Sequence, residues 1–84
     1  PEAMPDYELL EILLFPARPM GDVKPLAKAL LARFGTLAKL LKAEPRELAA
    51  VDGVNDAAVA ALKAALEVSS RLLKEEIAAK PVIQ

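Results

Sequence analysis

The chain contains no cysteine, no histidine and no tryptophan among its 84 residues. Without thiols it forms no disulfide, presents no thiolate nucleophile and builds no zinc finger, a usage that suits a reducing cytoplasm. Without imidazole it lacks the commonest general base and the commonest metal ligand. Aromatic residues reach only 4%, and no apolar run approaches the 18 or so residues that span a bilayer. The first residues lack the basic start and apolar block of a secretory signal. No catalytic site and no metal site is expected, and a cytoplasmic, non-membrane protein is.

What is abundant is leucine and alanine, within an apolar fraction of 55%. That composition is helical, because both residues sit near the favourable end of the helix scale. The net charge of −1 argues against a strongly basic nucleic-acid binder, yet the charges are segregated. Residues 1–15 carry four acids and no base, whereas residues 16–46 carry seven bases against two acids. A basic middle can meet phosphate even in a mildly acidic chain. Its members include Lys24, Lys28, Lys39, Lys42 and Arg46, a patch that could equally be a solvated face.

The punctuation predicts an all-α bundle of about five helices. Pro5-Asp6 opens the first, which runs through Leu9, Leu10, Leu13 and Leu14 until Pro16 and Pro19 end it. Pro16 to Gly21 reads as loop. Asp22 is the expected N-cap of the second, whose Val23, Ala27, Leu30 and Phe34 share a face. Gly35 ends it in a left-handed conformation. Thr36 caps a short third helix, Glu44-Pro45 begins a fourth with Leu48 and Val51 pointing inward, and Asp52-Gly53-Val54-Asn55 breaks the chain. The fifth runs from about Asp56 to Ile77. Its stripe of Val59, Leu62, Leu66, Leu73 and Ile77 is expected in the core. Val68 and Leu72 fall roughly 120–140° from Leu62, Leu66 and Leu73 on the helical wheel. They are therefore expected to form an interaction surface, although a harmless alanine-rich exterior would look the same. Residues 81–84 read as the start of a linker after a domain spanning residues 1–80. Glu75-Glu76 is no catalytic pair, since adjacent helical residues diverge by about 100°, and lone Gly21 and Gly35 make no phosphate loop.

Leu48 through Leu62 follows the helix-hairpin-helix pattern: a short helix, a Gly-hydrophobic-Gly turn and a second helix with small and apolar residues at fixed offsets. Gly53 supplies positive φ, Val54 plugs the space between the helices, and free amides at the second helix's start can hold a DNA phosphate without reading sequence. Asn55 replaces the second glycine. It tolerates positive φ better than most residues, but its side chain can crowd a phosphate or cap the helix. Asp52 and Asp56 repel phosphate by about 1 kcal/mol each at a solvated 4 Å. Lys63 stands where a phosphate-binding cation would help, and Glu67 one turn on can occupy it. The expected phosphate-binding set is Gly53, Val54, Asn55 and Lys63.

Four blocks together resemble the N-terminal domain of the bacterial RadC family. They are Asp6-Tyr7-Glu8-Leu9-Leu10-Glu11-Ile12-Leu13-Leu14, Asp22-Val23-Lys24-Pro25-Leu26-Ala27, Leu31-Ala32-Arg33-Phe34-Gly35 and Val51-Asp52-Gly53-Val54. The resemblance covers nearly all of residues 5–80. The run Arg33-Phe34-Gly35-Thr36-Leu37 before the hairpin is more loosely similar to the tandem hairpin domains of UvrC. The RadC resemblance implies a DNA repair association and a following domain similar to JAMM metallopeptidases, none of whose zinc ligands lies in this chain. It also implies that a monovalent cation can bridge the carbonyls of Ala49, Val51 and Val54 to a phosphate; no other cofactor is expected.

Two functions remain open. In one, the chain is a non-catalytic, sequence-nonspecific DNA-binding module, weak in affinity, favoured narrowly by the hairpin and the basic middle. In the other it is an interaction domain, with a structural hairpin and a fifth helix that docks a second copy or its own C-terminal domain.

Overall fold

Acidic residues at helix starts, glycine at helix ends and side-chain caps between them divide the chain into five α-helices. The computed structural model describes residues 4–17 and 22–79; residues 18–21 of the expected Pro16 to Gly21 loop and the apolar tail at 81–84 lie outside that range. The helices are α1 (Asp6–Leu14), α2 (Lys24–Phe34), α3 (Leu37–Lys42), α4 (Pro45–Ala49) and α5 (Asp56–Ala79). Among the described residues there is no strand, and no helix is long and apolar enough to cross a membrane.

Each boundary has a local cause. Asp6 and Glu8 occupy the first turn of α1, where the helix dipole favours acids. Pro16 ends α1 through a single 3-10 turn, Phe15–Ala17. At α2 the expected cap shifts by one residue. Val23 takes the N-cap position, and the Asp22 carboxylate accepts from the Lys24 N–H at 3.1 Å. Gly35 ends α2 at φ +94°, its N–H donating to the Leu31 carbonyl at 2.8 Å. Thr36 caps α3, its hydroxyl oxygen accepting from the Lys39 N–H at 3.1 Å. Glu47 reaches back from α4 to accept from the Glu44 N–H at 3.1 Å.

Every helix contributes leucine to one core. Leu10 and Leu14 of α1, Leu30 of α2, Leu40 of α3, Leu48 of α4 and Leu62 of α5 are fully buried. Val23, Leu26, Ala27, Ala43 and Ala58 fill between them, and no polar side chain is buried among the described residues. Phe34, Val51, Val54 and Val59 pack around the edge, so the expected inward faces of α2 and α4 are observed.

The expected core stripe of α5 holds only in part, and Leu66 is half-buried without joining the residues packed on the core. Leu73 and Ile77 continue the stripe of Val59, Leu62 and Leu66, yet they are 58% and 63% exposed. The reason is length. At 24 residues, α5 runs about 36 Å, whereas the 9 residues of α1 and 11 of α2 reach only about 14 and 17 Å at 1.5 Å per residue. The neighbours stop before the stripe does, and residues 71–79 are all exposed. The overall extents of 52 × 29 × 23 Å reflect this overhang.

Candidate functional site

Two surfaces bear on function: the turn between α4 and α5, and the far end of α5. The turn begins where α4 runs out at Ala49. The Val51 N–H donates to the Leu48 carbonyl and the Val54 N–H to the Val51 carbonyl, each at 3.1 Å. Gly53 sits at φ +94°, and it is the position in this turn that needs glycine. Val54 is half-buried and packs against the core. Of the three carbonyls suggested for a cation, that of Val51 is thus engaged within the turn.

Of the two roles open to Asn55, a positive-φ turn residue or a helix cap, the structure shows the cap. No non-glycine residue among those described has positive φ, so Asn55 does not stand in for a left-handed glycine. It is an N-cap. Its Oδ1 accepts from the Ala58 N–H at 2.9 Å, and its Nδ2 donates to the Ala17 carbonyl at 3.2 Å. One side chain therefore starts α5 and ties it to the end of α1, and one amide a phosphate could have used is already satisfied.

The electrostatics of the turn are acidic. Gly53 borders an open hollow of about 530 Å³ shared with Asp22, Asp52, Pro25, Leu26 and Ala29, with no cationic side chain among the described residues of its lining. A phosphate approaching here would meet two carboxylates. Lys63, expected to help, is engaged elsewhere: its ammonium donates to the Leu41 carbonyl at 2.8 Å and also to the Ala43 carbonyl. It caps the C-terminus of α3, where the dipole favours a cation. Glu67 does not occupy Lys63; it forms a 2.8 Å ion pair with Arg71 one turn further on. That hydrogen bond, with the positive charge of Arg71, holds the Glu67 carboxyl below its usual range.

The basic middle is exposed but scattered in its surroundings. Lys24 and Lys28 converge on the ring of Tyr7, at 5.9 and 4.9 Å from its centre. Arg46 lines a hollow with Asp56, Val59 and Ala60. Lys42 lines another with Leu66, Glu67, Ser69, Ser70 and Leu73. Lys39 is exposed on α3. Among the described residues no carboxylate pairs with any of the five.

The end of α5 is apolar and uncovered. Val68 is 66% exposed and Leu72 56%, which with Leu73 and Ile77 makes four large side chains in water over ten residues. Val68 and Leu72 lie where the sequence suggested an outer surface. The exposure of Leu73 and Ile77 could have been found by comparing helix lengths; hydrophobic spacing alone cannot show it. Among the described residues no group of acids is placed to hold a metal ion.

No family model and no solved structure matches the chain. It is similar to a UPF0758 protein of Rhodobacter capsulatus, 48% identical over 82 residues that make up 98% of this chain and 38% of the relative. A second UPF0758 protein, from Ruegeria pomeroyi, is 42% identical over 81 residues, 96% of this chain and 36% of the relative. The chain thus spans less than two fifths of the length of these curated relatives.

Proposed function

We propose that the chain is the helix-hairpin-helix domain of a RadC-like protein and acts there as a non-catalytic interaction module, braced by the hairpin and docking through the end of α5. The observation that carries this reading is the overhang: residues 71–79 are exposed without exception and include Leu72, Leu73 and Ile77. Large apolar side chains left in water on two sides of one helix end mark a contact surface. The hairpin fits a bracing role, since Asn55 is committed to α1 and Lys63 to α3. The relatives, more than twice as long, supply candidate surfaces for docking.

Amide exchange over residues 71–79 tests the reading, measured in the domain when dilute, when concentrated, and within a longer polypeptide of this kind. Protection in the concentrated or longer form, removed by Leu73→Lys with Ile77→Lys, is expected. Equally fast exchange in all three forms rejects it.

A second reading, sequence-nonspecific DNA binding, is favoured by one observation. Lys24, Lys28, Lys39, Lys42 and Arg46 are all exposed, and no described carboxylate pairs with them. Such binding would be weak and would engage about two to four phosphates, with a correspondingly shallow loss of affinity as salt rises. Titration of labelled duplex at low and moderate salt decides it. Affinity that is undetectable at low salt, or unchanged by salt, removes DNA as a partner.

A further inference from the structure

We propose that the overhanging end of α5 pairs with the same segment of a second copy, antiparallel, about a two-fold axis at Leu73. The inference rests on the docking reading above and names the occupant.

Steric access selects the direction. Leu73 and Ile77 lie on the face of α5 whose earlier members, Val59, Leu62 and Leu66, are covered to varying degrees by the chain's own helices. A parallel partner lying on this face would run into those helices. An antiparallel partner centred on Leu73 reaches back only to about residue 67 and leaves the two bodies at opposite ends of the pair. The overlap is short, since the thirteen residues 67–79 that this axis brings together extend only about 20 Å.

Shape then selects the register. Beside Leu73 lies an open hollow of about 440 Å³, lined by Leu66, Ser69, Ser70, Glu67 and Lys42. With Leu73 facing its own copy, Ile77 of one chain falls opposite Ser69 of the other, because both lie four residues from the axis. The apolar side chain thus meets a small residue at the rim of an apolar-floored hollow, and small residues allow close helix approach. The symmetry fills both hollows at once, as a self-complementary interface requires.

Charge agrees with shape. Near the end of α5, Glu76 flanks the Leu73 face, about 60° from it on the helical wheel. In the antiparallel pair this end arrives beside Lys42 of the other copy, an exposed cation with no carboxylate partner among the described residues. Glu67 at the edge of the hollow already has its charge matched by Arg71 of its own helix. Leu73 and Ile77 are the large apolar side chains each copy places on this face, and so short an overlap puts the interface at the low end of specific contacts. Self-association of this kind is weak and depends on concentration.

The absence of cysteine from the chain makes the test direct, because any introduced thiol is unique. Sedimentation equilibrium should show the apparent mass rising toward twice the chain mass between about 10 μM and 1 mM. Lys42→Glu should raise the dissociation constant several-fold with helicity unchanged. Under mild oxidation, Leu73→Cys should cross-link to itself, and Arg71→Cys, on the outer face, should not. A mixture of Ser69→Cys and Ile77→Cys chains should form the mixed disulfide in excess of either self-pair. A chain that stays monomeric to 1 mM overturns the proposal. So does a dimer in which Ile77→Cys pairs mainly with itself, the signature of parallel packing. Protection of residues 71–79 in a longer polypeptide alone, with the isolated domain monomeric, would overturn self-pairing and leave the docking reading standing.

Discussion

The side-chain amide of Asn55 donates to the carbonyl oxygen of Ala17 at 3.2 Å, joining the first residue before α5 to the last described residue after α1 across 38 positions of sequence. The same side chain accepts from the Ala58 N–H. It therefore does two jobs that a glycine at this position could not. Replacing Asn55 by Asp keeps the cap and loses the donor, whereas Gly loses both.

Asn55→Asp is expected to cost about 0.5–1 kcal/mol and Asn55→Gly about 1–1.5 kcal/mol, from one exposed hydrogen bond and a cap whose loss to glycine is small. Thermal unfolding followed by circular dichroism would resolve the order, since 1 kcal/mol moves the midpoint by about 4–8 °C in a domain this size. An Asn55→Gly variant as stable as the parent would show that the tie to Ala17 does not form.

Gly35 offers a cleaner backbone experiment. A Cβ built there meets nothing within 4 Å, so any cost of substitution is conformational. Its φ of +94° and ψ of −48° lie well away from the left-handed helical well at ψ of about +47°. Asn, usually the milder replacement at such a helix end, should then gain little over Ala. Both Gly35→Ala and Gly35→Asn are expected to destabilise by about 1–2 kcal/mol in denaturant titration. A clear advantage for Asn would mean the backbone there relaxes into the left-handed well.

Lys63 separates structure from phosphate contact. Its ammonium serves the Leu41 and Ala43 carbonyls, so Lys63→Met should lower stability by about 1–2 kcal/mol, the range for a partly solvated bond to a charged donor. Any DNA affinity should be unchanged once the variant is compared well below its unfolding midpoint. A loss of affinity without a loss of stability would return Lys63 to the phosphate-binding set.

Glu67 titrates below the ordinary carboxylate range because Arg71 donates to it and supplies positive charge. Its folded-state pKa is depressed, so the pair's contribution is present above the unfolded value and fades as pH falls through the lowered one. Both side chains are well exposed, so the effect belongs in a side-chain NMR titration; global stability should barely register it. Arg71→Gln should return the Glu67 midpoint to the usual range. An unmoved midpoint would assign the shift to something other than Arg71.

The five helices were legible because their boundaries are written locally: Gly35 and Gly53 for positive φ, Thr36 for a cap, Pro45 for a first turn. The inward faces of α2 and α4 followed from spacing. What was not legible involved distance. Nothing near Asn55 in sequence reveals that Ala17 will be there to accept its second hydrogen bond. Nothing near Lys63 announces the end of α3. The stripe on α5 is continuous to Ile77, and only the shorter reach of α1 and α2 shows where its cover stops.

The six fully buried large side chains are all leucine, and this has a consequence for how the fold is specified. Leucines are close to interchangeable in volume and have no directional group, so a core made of them tolerates several packings of similar energy. Shape alone cannot choose among them. The choice falls to the polar fasteners outside the core: Thr36, Glu47, Asn55, Lys63 and the two glycine turns. Sequence drift should therefore be forgiving inside, where leucine can become methionine or isoleucine at little cost. It should be strict at these few surface positions, whose loss would leave a helical but plural ensemble.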